Sequence, residues 1–270
     1  MRFIAYSNIW ISIAGVAQLY LTYQLTGIPV YYPLIGFVLF SILFTYNFLR
    51  IIKVKNISPE NHSEQLIWIS RHLKLITWIM IFSFIGSLTF FFFLYNYQKI
   101  LILFSGLFAV GYNLPIWKRG ITLRSIPYLK SVWICLIWTI TTFLLPINQN
   151  EFEFPIIDFF IRFLFFYVIT IPFDIRDLKY DDVKMKTTPQ LFGKVGALIL
   201  GIILLVTCAC TAFEIYLQEI ALIYLVSYFL TGIVLLFSLK ERKEIFYPMV
   251  VDGMILVQAV LIVGWILFKI

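Results

Sequence analysis

Residues 174–194, DIRDLKYDDVKMKTTPQLFGK, separate two long apolar runs, 156–173 and 195–216. Each run is long enough to approach the ~20 residues that a helix needs to cross the hydrocarbon of a bilayer. The polar stretch between them collects four of the chain's 14 acidic residues. If the preceding helix continues into it, Asp174, Asp177 and Asp181 fall at i, i+3 and i+7 and share one face. Carboxylates on one stripe repel each other unless a positive charge sits among them. Hard cations such as Mg2+ take oxygen ligands, and they combine one or two carboxylates with water and substrate phosphates. The stripe therefore suits a diphosphate dock. The competing reading is a solvated loop beside the membrane, its acids paired with Arg176, Lys179 and Lys184.

Composition extends the membrane reading to the whole chain. Of the 270 residues 61% are hydrophobic and 13% charged, with a mean hydropathy of +0.94, whereas soluble domains carry about 25% charged residues. Lipid admits only helices and closed barrels, because backbone groups find no water there. Long apolar runs, in place of ~10-residue alternating segments, exclude the barrel. The expected fold is all-α, a single polytopic transmembrane helical domain over 1–270. We place nine spans near 4–26, 33–53, 71–95, 99–114, 128–146, 156–173, 195–216, 220–239 and 247–268. A two-repeat reading takes halves of about four helices, near 1–146 and 156–246 (five and three of these spans), with one added helix, and Asn47 and Asp174 occupy equivalent helix ends in the two halves.

Of the 21 Lys and Arg residues, 18 lie at or near the N-terminus and the connections 54–70, 115–127, 174–194 and 240–246, with Arg50, Lys53, Arg71, Lys74 and Lys130 at the flanking helix ends. The positive-inside rule puts that side, the N-terminus and the polar stretch in the cytoplasm. The net charge of +7 is thereby accounted for by topology, with the bilayer as partner and no nucleic acid. Cys135, Cys208 and Cys210 lie in apolar runs with no metal or disulfide spacing and read as packing residues. Asn47 and Arg50 share a helix face with Lys53 or Val54, which places an amide and cations at the end of the second span; snorkelling to the headgroups is the alternative for the cations. Tyr112-Asn113-Leu114-Pro115 ends the fourth span beside Lys118, Arg119 and Arg124. Arg162 either snorkels or pairs with Asp158. Asp252, inside the last span, calls for a cationic partner, with Lys240–Lys243 the nearest in sequence.

The pattern Asp174-x-x-Asp177-x-x-x-Asp181, followed by Lys186-Thr187-Thr188-Pro189-x-Leu191-x-Gly193, resembles the second aspartate motif of the UbiA family of intramembrane prenyltransferases. Tyr112, Pro115, Lys118 and Arg119 resemble the family's tyrosine, proline and basic residues between the fourth and fifth spans. Thr188 replaces the family's usual leucine, and a glycine before the lysine is missing. The family's first motif aligns on Asn47 and places Phe48, Ile51 and Lys55 where three aspartates belong. The resemblance implies Mg2+ held by Asp174, Asp177 and Asp181, these also serving in catalysis. It implies a polyprenyl diphosphate contacted by Arg50, Lys118 and Arg119 and oriented by Asn47, and transfer of the prenyl group to an acceptor that the sequence does not identify. With half the acidic set replaced, two outcomes follow. Either Arg50, Lys53 or Lys55 takes over diphosphate neutralisation beside one Mg2+, or the protein binds an isoprenoid or other lipid without transferring it. An unrelated transporter is a third reading; it calls for polar residues scattered at mid-membrane, and here they cluster at one end.

Overall fold

The computed structural model describes residues 1–56, 63–113, 123, 126–147, 156–179 and 181–269. They form eleven α-helices, and no strand occurs among the described residues: α1 (Arg2–Tyr6), α2 (Ile9–Thr26), α3 (Tyr32–Asn56), α4 (Glu64–Arg71), α5 (Leu73–Phe93), α6 (Asn96–Asn113), α7 (Leu129–Thr139), α8 (Ile156–Asp177), α9 (Thr188–Ile215), α10 (Gln218–Phe237) and α11 (Gly253–Lys269). Wider π turns, Ile140–Leu144 and Tyr247–Val251, follow α7 and precede α11.

Among the described residues, six helical segments are long and apolar enough to cross a membrane: α3, α5, α8, α9, α10 and Tyr247–Lys269. This corrects the expectation of nine. The three remaining segments are helical but fall short. Leu129–Leu144 is a shorter apolar helix. In α2 the inward face carries Ser12, Gln18 and Thr22, all buried, and α6 opens on Asn96, Gln98 and Lys99. These polar side chains lower the hydropathy of helices that still pack within the bundle.

The helices close into a ring. α2 packs on α3 and α11, α11 on α10, α10 on α9, α9 on α8 and α8 on α7, whose π turn returns to α2. α5 lies along α3, and glycines set their separation. A Cβ on Gly36 would stand 2.6 Å from the Phe90 ring, and one on Gly86 would stand 2.7 Å from that of Phe40. Each helix therefore receives a phenylalanine of the other, the close approach that small residues allow in lipid.

Polar side chains tie the inner faces together. Gln18 Nε2 donates to Ile255 O at 2.8 Å and to Gln258 Oε1 at 3.1 Å, and Thr22 Oγ1 donates to Thr142 O at 2.8 Å. Arg162 neither snorkels nor bonds Asp158: it is buried, donates to Gln18 O at 2.8 Å and lies over the Phe143 ring. Asp158 accepts instead from the Tyr216 hydroxyl. Cys135 and Cys208 are packed inside, while Cys210 faces outward.

Candidate functional site

α3 and α8 end at the same side of the bundle, and their last turns face one cavity of about 270 Å³. α3 contributes Tyr46, Leu49, Arg50 and Lys53; α8 contributes Phe166, Ile169, Phe173, Asp174, Arg176 and Asp177. Ile134, Ile137 and Trp138 of α7 and Ile11 of α2 make the deeper wall apolar, and Gln65 of α4 stands at the polar part. α4 is fixed at its N-terminus: the Ser63 hydroxyl caps it by accepting from Leu66 N, and Glu244 Oε2 accepts from Gln65 N at 3.0 Å.

α8 carries Pro172 without interruption of the helix and runs to Asp177. Asp181 lies beyond that end, but its amide donates to Asp177 O at 2.9 Å, which continues the turn and keeps the carboxylate beside the other two. All three acids meet one cation, Lys130 of α7. Its Nζ is 2.8 Å from Asp174 Oδ1 and 3.7 Å from Asp177 Oδ2, and it bonds Asp181 Oδ2 directly. Lys130, Asp174 and Asp181 side chains are 6%, 2% and 2% exposed, so water screens them little. Ser131 Oγ donates to Asp174 Oδ2 at 2.6 Å. Asp177 also accepts from Arg176 Nε at 2.7 Å, and the Arg176 guanidinium is clamped over the rings of Phe173 and Tyr247 at 5.2 and 4.8 Å. Further along the connection, Lys179 bonds Glu241 and holds its carboxyl below the usual carboxylate range.

This arrangement bears directly on Mg2+. The three carboxylates have the right chemistry, but their meeting point is taken by the Lys130 ammonium, and no group of three or more His, Cys, Asp or Glu side chains among the described residues is disposed to hold a metal ion. The donor set therefore does not fit Mg2+ as it stands, a disagreement with the metal role expected of Asp174, Asp177 and Asp181.

The other expected residues separate. Arg50 lines the cavity and makes no hydrogen bond or ion pair with any described residue; the charges acting on it are those of Arg176, Glu244 and Asp177. Asn47 is fully buried and is not among the lining residues. Its amide donates to Ser7 O at 2.9 Å and Leu43 O at 2.8 Å and accepts from Asn8 Nδ2 at 3.0 Å. Asn8 holds a left-handed backbone (φ 63°) at the start of α2, a conformation that asparagine tolerates. Asn47 thus fastens α1, α2 and α3 together. Lys118 and Arg119 lie outside the described residues.

Two features of the site are not read from the sequence: the pairing of Lys130 with the acidic stripe, and the place of Asp252, singled out there only as an acid in need of a cation. Lys130 counts there only toward membrane orientation, because its partners lie more than 40 positions away. Asp252 is delivered into the cavity by the π turn that precedes it, a local widening frequent at functional sites. The charges that reach it are Arg176 and Arg50 rather than Lys240–Lys243. A second, smaller hollow of about 70 Å³ adjoins the first, and Lys130 lines both; Tyr128, Lys186, Thr187 and Thr188 surround the rest. The chain matches no family model, no curated protein and no solved structure.

Proposed function

We propose that the chain is a UbiA-like membrane prenyltransferase that takes a polyprenyl diphosphate into this cavity from the cytoplasmic side of the bilayer and transfers the prenyl group to an acceptor. The observation that carries the reading is the meeting of the α3 and α8 ends across one cavity, charged at its mouth and apolar in its depth. Ligand pockets typically occupy ≈ 300–1,000 Å³, so about 270 Å³ accommodates a diphosphate head and the first isoprene units. In the transfer, the bond between C1 of the prenyl chain and the diphosphate oxygen breaks, and diphosphate leaves with the electron pair. The acceptor bonds to C1 and gives up a proton. Arg50 and Lys53 offset the charge gathering on the leaving group, a contribution that fixed cations make most effectively where water is excluded. Trp138, Phe166 and Phe173 line the same space, and aromatic rings attract a developing allylic cation when it lies over their faces.

A second reading, in which an isoprenoid lipid is bound and not transferred, is favoured by one feature: Lys130 already neutralises the carboxylates that would otherwise hold a metal to offset the charge of the leaving group. Incubation of the purified protein with farnesyl diphosphate and Mg2+ separates the two. Release of diphosphate by the wild type, lost in Asp174→Ala, supports transfer. Binding without release supports the lipid binder, and neither binding nor release rejects both.

A further inference from the structure

Four cations and three carboxylates line the cavity: Arg50, Lys53, Lys130 and Arg176 against Asp174, Asp177 and Asp252. Asp181, behind the wall, is bonded to Lys130. A pocket built to be completed by divalent ions carries an excess of carboxylates when empty. This one is balanced by its own side chains. Lys130 comes from α7, and the carboxylates it contacts come from the end of α8 and the turn beyond it. A buried ammonium in that position has the charge and donor geometry to satisfy three carboxylate oxygens. On the facing helix, Phe48, Ile51 and Lys55 offer no carboxylate to a metal, while Arg50 lines the cavity with no hydrogen bond or ion pair to a described residue.

Resting on the reading that this cavity takes an isoprenoid diphosphate, we infer that it does so without a divalent metal. Lys130 is the resident counter-cation of Asp174, Asp177 and Asp181, and Arg50 with Lys53 meets the anionic head. Phosphate recognition by arginine is direct, through paired N–H donors, and it needs no bridging ion.

The test uses the full chain in detergent or nanodiscs and farnesyl thiolodiphosphate, an analogue that resists ionisation, with binding measured calorimetrically in Mg2+ and in EDTA. The expected result is a Kd that agrees within about twofold between the two buffers and that rises at least tenfold in Arg50→Met in both. Binding that appears only with Mg2+ overturns the inference and leaves the proposed function standing. Absence of binding in either buffer overturns both. A second measurement reads the counter-cation. Mg2+ should leave the thermal midpoint of the wild type unmoved and raise that of Lys130→Met by several degrees, because the variant exposes the carboxylates to a metal. An equal Mg2+ effect on both proteins contradicts the assignment of Lys130. Should Lys130→Met fail to fold, the wild-type comparison in EDTA decides alone.

Discussion

Lys130 and Asn47, both buried and both fully engaged, serve different ends. Lys130 is the only described cation that touches all three acids of the stripe. Its replacement by methionine keeps the volume and removes the charge, leaving buried carboxylates uncompensated; such losses cost about 3–5 kcal/mol. A fall in the thermal or denaturant midpoint of that size, measured without divalent ions, is the expected outcome. Asn47 gives the contrasting case. Its three hydrogen bonds hold Ser7, Leu43 and Asn8, and Asn47→Ala leaves at least the Asn8 amide without its partner. A loss of about 1–3 kcal/mol in stability, with an unchanged Kd for farnesyl thiolodiphosphate in the molecules that remain folded, follows from that role. A large rise in Kd at unchanged stability would instead return Asn47 to the ligand. The i, i+3, i+7 spacing of Asp174, Asp177 and Asp181 was enough to bring them together on paper. The cation they share was not visible there, since a lysine 44 positions before Asp174 has no local signature of pairing with it.

Helix pairs carry the next level of cause. The α3–α5 contact depends on two glycines, each filled by a phenylalanine from across the interface. Gly86→Val places a branched side chain against the Phe40 ring and should destabilise the protein by about 1–3 kcal/mol. Phe40→Ala in the same chain should recover part of that loss, which a double-mutant cycle measures as a coupling between the two positions. α9 behaves otherwise. Gly193 has φ 71° and ψ 172° inside it, with nothing within 4 Å of a Cβ placed there. Gly193→Ala is therefore opposed by backbone conformation alone, at about 1–3 kcal/mol, since this pairing of positive φ with extended ψ is essentially confined to glycine. The apolar run beginning at residue 195 already marked the start of the long part of this helix, whereas its capping box, Thr187 with Gln190, emerges only in the structure. Helix positions were legible because apolar runs are local. The shortfall from nine spans to six among the described residues came from α2 and α6, whose polar residues lower the hydropathy of segments that are helical nonetheless, and from Leu129–Leu144, which is apolar but short.

Across the whole molecule, a ring of helices surrounds a cavity with its charge at one end, and α9 and α10 complete the ring without lining that cavity. The apolar part rests on Ile11, Ile134, Ile137, Trp138 and Ile169, drawn from α2, α7 and α8. Ile134→Trp should crowd the tail more than the head. The expected outcome is at least a tenfold loss of affinity for farnesyl thiolodiphosphate and little change for inorganic pyrophosphate, compared by calorimetry in one buffer. Equal losses for both would place the isoprenoid elsewhere. This division between head and tail was partly legible, since the acidic stripe and the aromatic runs stand next to each other in the chain. The contribution of Asp252 was not, because it depends on how the π turn Tyr247–Val251 rotates the start of the last helix.

One side chain, Lys130, forms a shared wall between the large cavity and the small hollow beside Tyr128, Lys186 and Thr187. A residue that borders two chambers answers to both, so whatever occupies either one meets the same ammonium. Shortening Lys130 to alanine would therefore enlarge the room and remove the charge in one stroke, so only a substitution of matched length can tell which of the two a bound guest notices.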